Sequence, residues 1–252
     1  MIIGSKIIYT ESVPSTNTLA SELIRDEKPP EGTIIRAGFQ SEGRGQPGNR
    51  WESEAGSNLL FSIILYPDML RPDQQFLISM ALSLGIRDFI RAEAGSCSVR
   101  WPNDIFVNDR KIAGILIENS IMADSVSSCV AGIGININQS RFDGLEPAPV
   151  SLKMVSGRTC DPGECLLKVA EKLDRRYKQL LAGEYDSVAA EYNAALYRYM
   201  EWSKFKDDGG DFTGRIISVT PEGFLVIERR DGKKCEYAFR EVRFVHPADP
   251  SP

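Results

Sequence analysis

Apolar residues in this chain fall mainly in short runs of strand length, broken in four places by stretches at three- and four-residue spacing. Ile7 to Tyr9 reads as a short strand. The hydroxyl and amide groups of Ser12-Val13-Pro14-Ser15-Thr16-Asn17 then cap a helix carrying Leu19, Leu23 and Ile24. Thr33 to Phe39 and Leu59 to Tyr66 predict two core strands, joined through the glycine-rich segment Gly43 to Trp51. From Asp73 to about Ala92, the apolar residues Phe76, Leu77, Met80, Leu84 and Ile90 recur near helical spacing, so a packed helix is expected. Val99 to Trp101, Ile105 to Val107, Ile112 to Glu118 and Cys129 to Ile137 follow as closely spaced strands with turns such as Asn108-Asp109 between them. That succession predicts a mostly antiparallel sheet.

After a turn at Pro147-Ala148-Pro149, two further helices are expected, Glu164 to Leu181 closed by Gly183, and Ser187 to Tyr199. Asp207-Asp208-Gly209-Gly210-Asp211 is a break in composition and a candidate domain boundary. Beyond it, Phe212 to Val219, Gly223 to Arg229, Lys233 to Phe239 and Val242 to Val245 are short strands separated by turn residues, the pattern of a small barrel.

Composition narrows the chemistry. With 252 residues, 42% of them hydrophobic, the chain can bury a substantial core. A formal net charge of -5 argues against a protein that binds nucleic acid through a global basic field. Cys97, Cys129, Cys160, Cys165 and Cys235 form no C-x-x-C pair, so neither a disulfide framework nor a zinc site is expected, and a reducing cytoplasm fits. No stretch has signal-peptide or membrane-spanning character. The single histidine, His246, lies beside a proline-rich tail, which excludes histidine-based triads.

Four polar clusters interrupt the apolar strands: Ser15-Thr16-Asn17; Gln40 through Trp51; Trp101-Pro102-Asn103-Asp104 with Lys111; and Gly132 through Asn138. Singly, each has an ordinary explanation, namely a helix cap, a basic surface turn, a tight turn anchored by tryptophan and a close approach of backbones. The segment Gly43-Arg44-Gly45-Gln46-Pro47-Gly48-Asn49-Arg50-Trp51 is the most informative, since glycines let backbone N–H groups approach a ligand and arginines offer permanently charged planar donors.

In this order the clusters resemble the motifs of the biotin protein ligases, from about Ser12 to Val245. The carrying residues are Ser15-Thr16-Asn17, Gln40 with the Gly-Arg-Gly loop ending at Trp51, Trp101 to Asp104, Lys111-Ile112-Ala113-Gly114-Ile115-Leu116-Ile117-Glu118, and Gly132 to Asn136. The resemblance implies an α+β fold in which residues 1–205 form a catalytic domain akin to class II aminoacyl-tRNA synthetases. Residues 206–247 would then be an SH3-like C-terminal domain, and 248–252 a tail. It also implies ATP-dependent attachment of biotin to a lysine of a biotin carboxyl carrier domain through biotinyl-5′-AMP, with Mg²⁺ neutralising the polyphosphate. Such chemistry needs positioning and cations rather than a protein nucleophile.

By that resemblance Lys111 bridges the biotin carboxylate and the α-phosphate, and Ser15, Thr16, Asn17 and Gln40 hold the ureido ring. Arg44, Gly45 and Gln46 belong to a loop that closes over biotin and the adenylate. Gly114, Ile115 and Leu116 wall the biotin pocket, and Asp104 orients the incoming lysine or accepts its proton. Asn103, Gly134 and Asn136 complete the site, with Asn136 facing the nucleotide. Trp51 is expected more as a core anchor than as a stacking partner. The chain departs from the family pattern at Gln46 and Asn49, where arginines are usual. Each lost charge-assisted contact weakens retention of the adenylate by roughly 1.5 to 3 kcal/mol, with Arg50 and Arg36 as candidate compensators. Ser15 arrives too early for a preceding DNA-binding domain, so a monofunctional ligase, monomer or homodimer, is expected. Two alternatives stay open: a lipoate or octanoate ligase or transferase of the same fold, and a non-catalytic biotin or nucleotide sensor.

Overall fold

A computed structural model describes residues 1–142 and 148–245. Its centre is a seven-stranded sheet in the order β1-β2-β3-β7-β6-β5-β4. The strands are β1 (Ile7–Val13), β2 (Ile34–Gln40), β3 (Leu59–Leu65), β4 (Ser98–Arg100), β5 (Asp104–Val107), β6 (Arg110–Met122) and β7 (Ser125–Ile135). Only β1 and β2 run parallel, because helix α1 (Thr16–Asp26) crosses between them; every other pairing is antiparallel. The mixed, mostly antiparallel sheet expected from the sequence is therefore present.

β3 is the central apolar run, and all seven of its residues are buried. Its odd-numbered residues Leu59, Phe61, Ile63 and Leu65 join Ala131, Ile133, Ile135, Ala113 and Ile115 in a core packed beneath α2 (Phe76–Ala94) and α4 (Pro162–Leu181). Burial of each such large side chain contributes about 1.5–3 kcal/mol. On the opposite face the even-numbered Ile64 meets Ile35, Val130 and Ala20 of α1 in a small second cluster. α1 covers only part of that face.

Local chemistry explains most element boundaries. α4 starts ahead of the expected Glu164, since Asp161 accepts from the Glu164 backbone N–H at 2.9 Å and Pro162 occupies the first turn. α5 (Tyr185–Ala194) stops short of Tyr199, because the Ala195 carbonyl and the Tyr197 N–H are taken by Val99, each at 2.8 Å. Tertiary pairing there overrides helical propensity. A short α3 (Leu152–Ser156), which periodicity did not reveal, is capped by Ser151 and closed by Gly157 at φ 72°. The Pro147-Ala148-Pro149 turn lies partly outside the described residues, as does His246.

A second, five-stranded antiparallel sheet has the order β11-β10-β9-β8-β12. It comprises β8 (Ser203–Asp207), β9 (Gly210–Val219), β10 (Leu225–Arg229), β11 (Lys234–Tyr237) and β12 (Arg243–Phe244). Among the described residues β11 and β12 do not pair, so the expected small barrel is an open sheet. The compositional break at Asp207 to Asp211 is the turn of the β8–β9 hairpin, and it falls inside this sheet rather than ahead of it.

Candidate active site

The uncovered part of the sheet face is a cavity of about 460 Å³, whose shape follows from register. Leu60, Gly134, Gly114 and Asp104 stand in one row across β3, β7, β6 and β5, and Ser62, Gly132 and Leu116 in the next. Three glycines thus hollow the floor. A Cβ at Gly134 would lie 2.4 Å from Trp51 Cε2, and one at Gly132 would lie 2.2 Å from Asn17 Oδ1. These glycines make room for neighbouring side chains rather than for turns.

The most consequential local event is a bulge where β5 pairs β6, with the register shifting between Ile105 and Phe106. Along β6, the even residues Gly114, Leu116 and Glu118 face α1 and the cavity, so simple alternation would send Ile112 there and Lys111 into the core. Instead Ile112 is fully buried in the core and Lys111 lines the cavity. The extra residue reverses the alternation and re-aims the lysine. Lys111 Nζ then sits 2.7 Å from Asp104 Oδ1 and 5.5 Å from the centroid of the Trp51 ring.

At one end of the cavity the groups are uncharged, the Glu118–Arg44 pair at its edge apart, and densely hydrogen-bonded. Gln40 Oε1 accepts from the Thr16 N–H at 2.7 Å and from its hydroxyl at 3.0 Å, occupying the N-terminus of α1. Ser62 Oγ is 2.7 Å from Thr16 Oγ1 and donates to Asn17 Oδ1 at 2.6 Å. Asn17 Nδ2 donates to Glu118 Oε2 at 2.7 Å and to the Leu116 carbonyl at 3.3 Å. Ser15 occupies the N-cap position, yet its side chain makes no capping bond there, which leaves the hydroxyl to the cavity. Glu118 also accepts from Arg44, fastening the glycine loop to the sheet.

The loop itself is a small hairpin. Arg44 bridges Arg50, Gly45 N–H donates to Asn49 O at 3.1 Å, and Trp51 N–H donates to Gly43 O at 3.0 Å. Trp51, expected mainly as a core anchor, is half-buried against Gly114 and Gly134 and forms cavity floor as well.

The other end is cationic. Toward the second sheet Arg100, Lys111, Arg240 and Arg243 line the cavity beside Asp104, and Arg50 adds a guanidinium from the loop, in a chain whose formal net charge is -5; Arg44, which also lines it, is paired with Glu118. Arg100 lies over the rings of Phe106 and Phe244 at 5.0 and 5.5 Å, and burial lowers its pKa from the usual value. Trp101 donates to the Gly223 carbonyl at 3.0 Å and meets Phe239 edge-on, tying the turn that carries Asp104 to the second sheet. The thiols take no part. Burial pushes Cys129 up to about 12 and Cys97 up to about 11.

Every residue assigned to the site from sequence lines this cavity except Asn136. Asn136 is buried elsewhere: its amide donates to the Val150 carbonyl at 3.1 Å and its backbone N–H to Ile112 O at 2.9 Å, so it braces the strand carrying Lys111. Ile115 points its side chain into the core, and Asn103 grips its backbone through bonds of 2.6 and 2.9 Å. Of the two candidate compensating cations, Arg50 lines the cavity. Arg36 does not, lying over the Tyr9 ring at 5.4 Å. Sequence reasoning missed Ser62, the one polar residue inside Leu59 to Leu65, which was a readable signal. It also missed Arg100, Arg240 and Arg243, which no motif marked. Among the described residues no three His, Cys, Asp or Glu side chains are placed to hold a metal ion, and Asp104, the one carboxylate of the cavity, is paired with Lys111.

Known proteins place this arrangement. Residues 9–138 match the model of the biotin/lipoate A/B protein ligase family. A biotin–[acetyl-CoA-carboxylase] ligase of Paracoccus denitrificans is 33% identical over 209 residues, covering 79% of this chain and 85% of that protein. A bifunctional ligase/repressor BirA of Bacillus spizizenii is 30% identical over 244 residues, 94% of this chain and 74% of the relative. The biotin protein ligase of Aquifex aeolicus, solved with biotin and ATP, superposes with a TM-score of 0.78 over 96% of this chain and all of that one, at 24% identity. No helix of the described residues is long and apolar enough to cross a membrane. With its glycine-hollowed sheet, its loop and its lysine in the order that marks them, the chain belongs to the biotin/lipoate A/B protein ligase family, as a biotin protein ligase.

Proposed function

We propose that this protein activates biotin with ATP to form biotinyl-5′-AMP and pyrophosphate, then transfers the biotinyl group to one lysine of a biotin carboxyl carrier domain. The carrying observation is the polarity of the cavity, neutral and hydrogen-bonding around Ser15, Thr16, Asn17 and Gln40 and cationic toward the second sheet. A ureido ring needs matched donors and acceptors, and a triphosphate needs cations. Lys111 stands between the two ends, over Trp51. There its ammonium offsets the repulsion between the biotin carboxylate and the α-phosphate as the carboxylate oxygen attacks phosphorus and pyrophosphate leaves.

Asp104 holds Lys111 in position while the site is empty. Once Lys111 turns to the substrates, Asp104 is the carboxylate available to accept a proton from the carrier lysine as its nitrogen attacks the acyl carbon and AMP departs. Mg²⁺, where it accompanies ATP, comes as part of the nucleotide substrate.

The deciding experiment supplies labelled biotin, ATP and an isolated carrier domain. Label is expected on one carrier lysine, and the protein's thermal midpoint should rise with biotin and not with lipoate or octanoate. Stabilisation by lipoate alone would move the reading to the lipoate branch of the family, and a lack of pyrophosphate release with biotin and ATP would leave a sensor.

A further inference from the structure

Among the cavity's cations, Arg240 reaches from the second sheet to grip the glycine loop itself. Its guanidinium donates to the carbonyl of Pro47, 193 residues away in sequence. Gly48 lies beneath it, so that even a Cβ there would stand 3.6 Å from a guanidinium nitrogen. On the loop itself Gln46 and Asn49 of the cavity wall are neutral and Arg44 is held by Glu118, which leaves Arg50 as the loop's other guanidinium at the cavity.

The backbone of Arg240 makes this contact costly. Its φ is 76°, in the left-handed region where glycine is the default residue. The turn that holds it there is closed on both sides, with Glu241 N–H donating to Ala238 O at 3.1 Å and Ala238 N–H to Glu241 Oε2 at 2.7 Å. Phe239 carries the guanidinium over its ring at 5.3 Å and leans edge-on against Trp101 at 6.2 Å. A turn that served only to connect β11 to β12 would be more stable with glycine at position 240. Arg240 shares a positive φ with residues such as Lys28 and Met200, but it couples that conformation to a contact across the cavity, which motivates a functional role.

We infer that Arg240 is a positioning residue that latches the Gly43 to Trp51 loop shut and so sets how long the activated intermediate stays enclosed. What is enclosed rests on the adenylation reading above; that the loop is latched rests on the clasp alone.

Arg240→Gly removes the guanidinium while relieving the left-handed backbone, so the folded protein should keep or raise its thermal midpoint. Trypsin acting on the ligand-free chain should then cut at Arg44 and Arg50 several-fold faster than in the parent. With biotin and ATP, the half-life of protein-bound biotinyl-AMP after gel filtration should fall about tenfold, the loss of one charge-assisted hydrogen bond, and by more than the single-turnover rate of its formation. Gln46→Arg added to that variant should recover part of the retention.

Unchanged tryptic cleavage in the stable Arg240→Gly protein would overturn the latch, and so would retention equal to the parent's. A parent that forms no biotinyl-AMP would instead sink the adenylation reading, while the cleavage rates still decide the clasp.

Discussion

On the seven-stranded sheet the cavity floor is made by side chains that are missing, Gly114, Gly132 and Gly134, and by short polar groups that bond one another. On the five-stranded sheet the facing wall is made by large groups that project, Phe239 and Phe244 with Arg240 and Arg243, over the buried Phe205. A hollow in a sheet is rigid, because every neighbouring strand fixes it, and it suits the small neutral part of a ligand. Projecting rings and guanidinium groups adjust, and they suit a charged part that changes during reaction. On the proposed reading, the first kind of wall selects what is bound, and the second sets how firmly the charged product of the first step is kept.

The largest expected break is at the junction of the two walls. Lys111→Ala should lower biotinyl-AMP formation by about 10²–10³-fold, the cost of a missing electrostatic partner in an acyl or phosphoryl transition state. Its side chain is one-third exposed, so circular dichroism and the thermal midpoint should stay near the parent's. Formation at parental rate would remove Lys111 from the chemistry.

Next comes the hollow itself. Gly134→Ala drives a methyl group to 2.4 Å from the Trp51 indole, and overpacking of this kind costs about 1–3 kcal/mol of stability, to be read in calorimetric unfolding, with biotin affinity falling as well. Adding Trp51→Phe, a smaller ring, should recover part of that loss; no recovery would mean that the hollow is not shaped around the indole. Ser62→Ala takes away the donor to Asn17 Oδ1, for which about 1–3 kcal/mol of biotin binding is expected to disappear, with the KM for ATP unmoved. Equal effects on both substrates would erase the proposed division between walls.

The smallest effect is expected on the adaptable side. Trp101→Phe keeps the aromatic contact with Phe239 and loses only the 3.0 Å bond to Gly223 O, worth about 0.5–1.5 kcal/mol. The KM for ATP should rise a few-fold while the biotin affinity holds, and a change confined to biotin would contradict the assignment of this wall.

Much of this was legible along the chain. Leu59 to Leu65 announced a central strand and the α2 and α4 periodicities announced their helices, since burial on a fixed face leaves a repeating trace. The candidate site was legible where residue type alone suggests the chemistry, in a glycine loop with arginines, a lysine beside a Trp-Pro-Asn-Asp turn, and hydroxyl and amide groups before a helix, all of which line one cavity. Asn136 was expected to face the nucleotide and is buried off the cavity lining, because a buried amide that braces a backbone and one that meets a ligand look alike in sequence. Arg36 was misread as a candidate because proximity along a strand says nothing of which face its side chain takes.

Sequence by itself determined the element order, the apolar faces and the inventory of reactive groups, because these depend on residue type and local period. Only the tertiary structure decided which groups meet. One bulge between β5 and β6 turns Lys111 out of the core and into the cavity. The β11–β12 turn brings Arg240 onto a loop nearly two hundred residues away. Neither leaves a periodic mark, for alternation is a property of one strand, whereas register and long-range contact are properties of the strands and loops that pack against it.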